Sequence, residues 1–369
     1  MMMSRRSLPA LCRLPVVIMV MAATAWACSV PVFRYALEHW EADPFQAVVF
    51  HRGTLTAAEQ AQIQALRPRA DDPVKPNLSV TAVDVASDMS PELLEVWKQQ
   101  PQNTSLPRLV LRFPRSSGLN ATIATAPLSE AARLDLTDSP ARREIIERLG
   151  DGQSAVWVML DSGDAARDDA AAKLLQERLD YLMGVMTLPE LDQLDIANGL
   201  VSVSQDDLRL EFSLLRVSRG DAREQTFTRM LLNTERDLAA VREPIVFPIF
   251  GRGRALYAIV GKGIRAETIE QAATFLIGKC SCQVKEQNPG TDLLLTADWK
   301  ALAKASPLLE RELPNLAHLA QAAAPVTVTT QPQSPASSLK GTSWLLPALA
   351  LLTGLGLLLT WRNQKRRTH

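Results

Sequence analysis

The chain has little with which to run acid–base or metal chemistry. Only four of its 369 residues are histidine and four are cysteine, and aromatic residues make up 5%. No Gly-x-Ser-x-Gly and no His-Glu-x-x-His occurs, so a nucleophile elbow and a helical zinc site are both missing. The glycines at Gly251-Arg252-Gly253-Arg254 and Gly261-Lys262-Gly263 do not make a phosphate loop. Lys262 is followed by glycine rather than serine or threonine, and no glycine stands five residues before Gly261. Glycines between two apolar strands are turn residues.

Net charge is lacking too, but only because the ends offset the middle. Lys and Arg together number 40, as do Asp and Glu. Arg5, Arg6, Arg13, Arg362, Lys365, Arg366 and Arg367 lie in the two ends, where there is no acid, so residues 28–340 hold 33 basic against 40 acidic residues. Nucleic acid is not the partner of a segment with that balance, because phosphate binding needs clustered Lys and Arg. The acidic pairs Asp71-Asp72, Asp168-Asp169 and Asp206-Asp207 read as solvated faces or helix caps.

What the ends do contain is targeting information. Arg5-Arg6, an apolar run from Leu14 to Ala27 broken only by Pro15 and Thr24, and Ala25-Trp26-Ala27 before Cys28 have the layout of a secretory signal peptide over residues 1–27. Cysteine directly after the cleavage site raises acylation, yet lipoprotein signals resemble Leu-Ala-Gly before the cysteine and this one departs from them. At the other end, residues 344–361 carry no charge, have Trp344 and Trp361 at their borders and precede a basic tail, residues 362–369. Eighteen residues make about 27 Å of helix, close to the thickness of a bilayer core. A transmembrane helix with a cytoplasmic tail follows, leaving residues 28 to about 340 periplasmic or extracellular. The ending also resembles bacterial C-terminal sorting tails, although no Pro-Glu-Pro precedes it, and whether the tail stays attached is open. Residues 322–343, rich in Ala, Pro, Thr, Ser and Gln, read as a flexible stalk. Residues 284–321 read as a helical extension, with a helix from about 297 to 313.

Between these ends there is length for about two domains, 28–152 and 153–283. A short helix at 30–40 leads into a strand at 47–51. Thr56 and Glu59 form a capping box that starts a helix running to 66. A strand at 78–85, a helix at 91–99, strands at 108–113 and 121–126, and a helix opened by Ser139-Pro140 and closed by Gly150 complete the first half. The order then restarts with a strand at 155–160 and a long helix at 165–183. An Asp- and Leu-rich insert at 187–207, a strand at 208–217, helical residues 222–240, strands at 245–250 and 255–260, and a helix at 266–277 stopped by Gly278 make the second half.

Each half therefore reads β-α-β-α-β-β-α, with Pro107 and Pro244 ahead of the third strand. This resembles the thioredoxin fold, in which a proline, usually cis, precedes the third strand and lies beside the active site. The resemblance implies an α/β protein of two tandem thioredoxin-like domains plus the C-terminal transmembrane helix. Oxidoreductases of that family place Cys-x-x-Cys after the first strand, where a helix N-terminus lowers the thiol pKa. The matching positions are His51-Arg52-Gly53-Thr54 and Asp161-Ser162-Gly163-Asp164, and neither contains cysteine. The redox chemistry thus does not carry over, and His51 reads as a strand-end histidine.

Three cysteines remain in the mature chain, Cys28, Cys280 and Cys282, in an oxidising compartment. A disulfide from Cys28 to Cys280 or Cys282 would tie the N-terminus to the second domain and stabilise it by a few kcal/mol. Alternatively, Cys-x-Cys with Cys28 or a histidine such as His39 would coordinate copper(I) or zinc, or the thiols are inert. The function expected is that of a membrane-anchored, exterior-facing, non-catalytic binding or envelope-organising protein. It would need no cofactor, and its partners would be the membrane and another envelope protein. The alternative is a thiol–disulfide exchange or copper-handling protein using Cys280 and Cys282 with Cys28.

Overall fold

Ala47-Val-Val-Phe50 has no polar side chain on either face, the composition of a strand covered on both sides. In the computed structural model, which describes residues 28–280 and 283–304, it is the middle of β1 (Phe45–His51), buried at every position except Gln46 and His51. Outside the described residues lie residues 1–27, expected as a signal peptide, Cys282, the part of the expected helical extension beyond 304, the expected stalk, residues 344–361 and the basic tail. Among the described residues no helix is long and apolar enough to cross a membrane.

The protein is a mixed α/β structure with two principal sheets. In the first, β1 is central. It pairs in parallel with β3 (Leu78–Asp84) and antiparallel with β4 (Arg108–Arg112), which pairs antiparallel with β5 (Thr122–Pro127). The connections are α2 (Ala57–Leu66), a two-residue strand β2 (Lys75–Pro76) and α3 (Pro91–Lys98), and α4 (Pro140–Gly150) follows β5. The Thr56–Glu59 capping box forms as expected, with the Glu59 amide donating to Thr56 Oγ1 at 3.2 Å. The second sheet repeats the pattern. β6 (Ala155–Asp161) pairs in parallel with β7 (Phe212–Ser218) and antiparallel with β8 (Ile245–Phe250). Between them run α5 (Ala165–Val185), the short α6 (Gln193–Ala197) and α7 (Gln225–Leu232).

Several local expectations change for identifiable reasons. The strand expected at 255–260 is two fragments, β9 (Arg254–Ala255) and β10 (Ile259–Val260), both paired with β8. Pro248 of β8 accepts from the Leu256 amide at 2.9 Å on this side, and its missing N–H on the same side leaves the ladder a bond short. Gly150 is not the stop of its helix but its last residue, buried against α9 (Trp299–Lys304). A Cβ there would come within 2.6 Å of Leu302 Cδ2, so a larger residue would have to displace the Leu302 side chain. Of the two marker prolines, the Leu106–Pro107 peptide is cis and the Glu243–Pro244 peptide is not.

The halves do not pack as separate bodies. One core cluster contains Val49, Leu111 and Ile145 together with Val158, Phe227 and Phe247. α4 packs against β6, and α7 against β5. A second cluster is built on α5 and α8 (Ala266–Ile277) and takes in Cys28, Phe33, Ala36 and Trp40. The N-terminal helix α1 (Val32–His39), which chain order assigns to the first domain, thus lies in the core of the second half, against α8 and β8. The C-terminal end of the described chain returns to the first half, where β12 (Thr296–Ala297) pairs with β2. It also joins the second sheet, whose edge strand β11 (Thr291–Asp292) pairs with β9.

Candidate functional site

The carboxyl end of β1 opens into a cleft of about 530 Å³. Its floor is the turn that leaves the strand. Gly53 adopts a left-handed φ of 68°, a conformation that costs glycine nothing. The Gly53 amide donates to Asp84 Oδ2 at 3.2 Å and its carbonyl lies 2.9 Å from His51 Nδ1. Bonds from the Ala86 and Gly53 amides hold the Asp84 carboxyl below its ordinary value, with His51 and Arg52 adding to the effect. One wall is the first turn of α2, where the Thr56 amide and hydroxyl both reach Glu59 Oε2 at 2.8 Å. Those bonds also lower the Glu59 pKa.

The opposite wall comes from the segment before β4 and includes Gln102, Thr104, Leu106 and Pro107. Trp97 of α3 closes the end, its ring 5.3 Å from that of Phe50. Thr104 Oγ1 is buried without a hydrogen-bond partner. A buried hydroxyl left unpaired costs about 1–3 kcal/mol, and this one belongs to a residue that lines the cleft. Sequence inspection pairs Pro107 with the His51–Thr54 turn through the family resemblance. It has no means of finding Trp97, Gln102 or Thr104, which no motif marks.

In the second half the matching turn is tied to a buried carboxylate. Gly163 is left-handed like Gly53, at φ 96°, but here the turn closes on Asp168. That carboxylate accepts from the Ser162 amide at 2.8 Å, the Ser162 hydroxyl at 2.7 Å and the Gly163 amide at 3.0 Å. Asp168 is 2% exposed, so of the two expectations for this pair, solvated face or cap, it is not on a solvated face; Asp169 does face solvent and binds Arg216 at 2.8 Å. Arg216 also reaches Asp161 at 3.2 Å. Burial nevertheless pushes the Asp161 carboxyl above its ordinary value, with Arg216 opposing. Arg219 donates to the Val241 and Glu243 carbonyls at 2.6 and 2.8 Å. Gly261 leaves space for Glu243, whose Oε2 would lie 1.3 Å from a Cβ at that position.

The thiols are elsewhere. Cys28 and Cys280 are 3% and 1% exposed in the second core cluster and line none of the clefts described. Among the described residues Cys28 is bridged to no other cysteine, and Cys282, the other partner expected for it, lies outside them. Burial above all raises the Cys28 pKa, which disfavours the thiolate that metal binding or exchange requires. The two cysteines are close in the fold: the Cys280 amide donates to the Val30 carbonyl at 2.9 Å. His39 is exposed, 2.9 Å from the Leu200 carbonyl and stacked on Tyr35. Among the described residues no three His, Cys, Asp or Glu side chains converge as metal ligands.

A buried ion cluster also escaped sequence inspection. Lys285 Nζ lies 2.6 Å from Asp43 and 2.9 Å from Asp292, and Arg254 lies 2.8 Å from Asp292. Every member has a partner, and the cluster ties the linker before β1 to the segment after α8. It is a fastening rather than a site.

Comparison with protein-family models, with curated proteins and with solved structures gives no match to this chain.

Proposed function

We propose that the protein is a membrane-anchored, exterior-facing binding protein without catalytic function, built on two thioredoxin-like halves of which only the first presents a ligand cleft. The observation that carries this reading is the cleft between His51–Thr54 and Leu106–Pro107, which no cysteine lines. It stands where the resemblance places a thioredoxin active site, and it keeps the space while lacking the thiols. The thioredoxin-like assignment is supported by the repeated strand order and pairing senses. The apolar residues Leu55, Trp97 and Leu106 facing the polar groups of Arg52, Gln102 and Thr104 suit a short extended segment of another envelope protein. The second half, with the matching turn tied to Asp168, serves as scaffold. Residues 344–361 and the basic tail supply the anchor and its orientation.

The test is site-specific photo-crosslinking in intact cells making the full chain. A photoreactive residue at Thr54 or Gln102 is expected to capture one envelope polypeptide, and the same residue at Asp206, remote from the cleft, is not. Equal or absent capture at all three positions overturns the reading.

A second reading, thiol exchange or copper handling, has the proximity of Cys28 and Cys280 in its favour. Thiol counting with and without reductant, together with metal analysis of the purified full chain, separates the two. A reducible, metal-loaded Cys280–Cys282 pair would replace the binding reading.

A further inference from the structure

Residues 28–32 enter the fold as a buried, strand-like segment. Cys28, Ser29 and Val30 are 3%, 5% and 0% exposed. Val32 donates to the Gly278 carbonyl and Cys280 to the Val30 carbonyl, each at 2.9 Å, with an antiparallel bridge between Pro31 and Lys279. A third strip, in the insert between β6 and β7, closes the cradle. The Ser29 amide and hydroxyl donate to the same oxygen of Asp195 at 2.7 and 2.6 Å, and the Asp192 amide donates to Ser29 Oγ at 2.7 Å. Among the described residues Asp195 has these neutral donors and no Lys or Arg partner. Asp195 is close enough to Cys28 to add to the rise of its thiol pKa, after burial and against the Val30 backbone bond. The donors to Asp195 are neutral, and a hydrogen bond from a cation would be shorter and stronger than any of them.

We propose that hydrolysis of the Ala27–Cys28 peptide bond supplies the missing cation: the new α-ammonium group of Cys28 pairs with Asp195, so that export processing completes the docking of residues 28–40 on the second half. This rests on residues 1–27 being a signal peptide. In the step, a signal peptidase adds water across the amide. The C–N bond breaks, the hydroxyl joins the Ala27 acyl carbon, and the nitrogen receives a hydrogen. The new carboxyl group loses its proton and the amine, of ordinary pKa about 7.7–8.0, takes one up at neutral pH. A chain still carrying residues 1–27 has a neutral amide at that nitrogen, one residue from the amide Asp195 already holds. Cys28 to Val30 are buried in the docked segment. The same burial leaves the Cys28 sulfur no room for a diacylglyceryl group.

The full chain is made with its own residues 1–27 and extracted from membranes in detergent. N-terminal sequencing and intact mass are expected to show a chain that begins at an unmodified Cys28. A different first residue overturns the signal-peptide assignment, and a diacylglyceryl mass overturns the docked Cys28. The ion pair is tested separately with Asp195→Asn in two backgrounds, the native chain and one with an alanine inserted between residues 27 and 28. The insertion displaces the ammonium by one residue, about 3.5 Å. Asp195→Asn is expected to raise the unfolding constant roughly tenfold in the native background, the size of a charge-assisted contact, and about threefold or less after the insertion. Equal effects overturn the pair and leave the signal-peptide assignment standing. If the Asn variant does not accumulate, the rate of α-amine acylation decides, being slower for the native chain than for the inserted one; equal rates overturn the pair.

Discussion

Asp168 and Ser162 close on each other, one carboxylate oxygen taking both the Ser162 amide at 2.8 Å and its hydroxyl at 2.7 Å. That contact distinguishes the two halves. After β1 the corresponding turn is held by the Gly53 amide on Asp84 at 3.2 Å and faces an open cleft. After β6 a buried carboxylate draws the turn shut. Asp168→Ala removes the acceptor of three donors at a half-buried turn and is expected to cost about 1–3 kcal/mol. Asp84→Ala, at the half-buried equivalent, leaves the unfolding midpoint near that of the native chain. Urea denaturation of both variants checks the contrast, and equal losses would remove the distinction between scaffold and site.

Thr104→Val is expected to act in opposite directions on stability and binding. It replaces a buried hydroxyl that has no partner with a methyl group of similar size, so stability rises by about 1 kcal/mol or is unchanged. Capture of the envelope partner at the cleft falls at the same time. Arg52→Ala is expected to lower capture with a stability change within about 0.5 kcal/mol. A Thr104→Val protein that is clearly less stable would mean that the hydroxyl is satisfied, and the cleft reading would lose its sharpest support.

Lys285 and Asp43 set the pH limits of the fold at their fastening. Burial alone would lower the Lys285 pKa, but Asp292 and Asp43 raise it overall. Burial would raise Asp43, but Lys285 holds it below its ordinary value. The stability from Lys285 is therefore present below the ordinary lysine value, about 10.4, and is lost as pH rises through the higher folded value. The stability from Asp43 is present above about 3.9 and is lost as pH falls through the lower folded value. Lys285→Met leaves Asp292 with Arg254 but strips Asp43 of its cation, at a cost of about 3–5 kcal/mol. Stability measured against pH should fall less steeply on the acid side in Lys285→Met than in the native chain, because Asp43 no longer has its depressed pKa, and an unchanged acid dependence would contradict the coupling.

Gly150→Ala is expected to destabilise although alanine is the better helix former by about 1 kcal/mol. The added methyl would meet Leu302 at 2.6 Å, and overpacking of that kind costs about 1–3 kcal/mol. Leu302→Ala, combined with it, should recover part of the loss in thermal unfolding experiments. A stabilised Gly150→Ala would place α9 farther from α4 than the structure has it.

Local signals were legible in the sequence where one segment's own chemistry suffices. The Thr56–Glu59 capping box, the apolar strand cores at 47–50 and 155–160, and the prolines before β4 and β8 all read correctly as elements. Pro248 was legible as a residue but not as an interruption, because its effect depends on which strand lies on its N–H side. Asp168 looked like half of a solvated pair because Asp168 and Asp169 have the same composition signal, and only the direction of the helix face separates a loop-closing carboxylate from an exposed one.

The sequence by itself determined the order of elements, the repeat of that order, the absence of a cysteine from both turns after the first strands, and the apolar, basic-flanked ends. Each of these depends on residues within a few positions of one another. Only the tertiary structure decided that α1 completes the second half, that Ser29 meets Asp195 across 166 positions of chain, and that one turn stands open while its counterpart is shut. These outcomes depend on which surfaces bury one another at long sequence separation, and a local pattern carries no record of that choice. The turn after β1 is held by Asp84 of the neighbouring strand, whereas the turn after β6 is held by Asp168 of the helix that follows it.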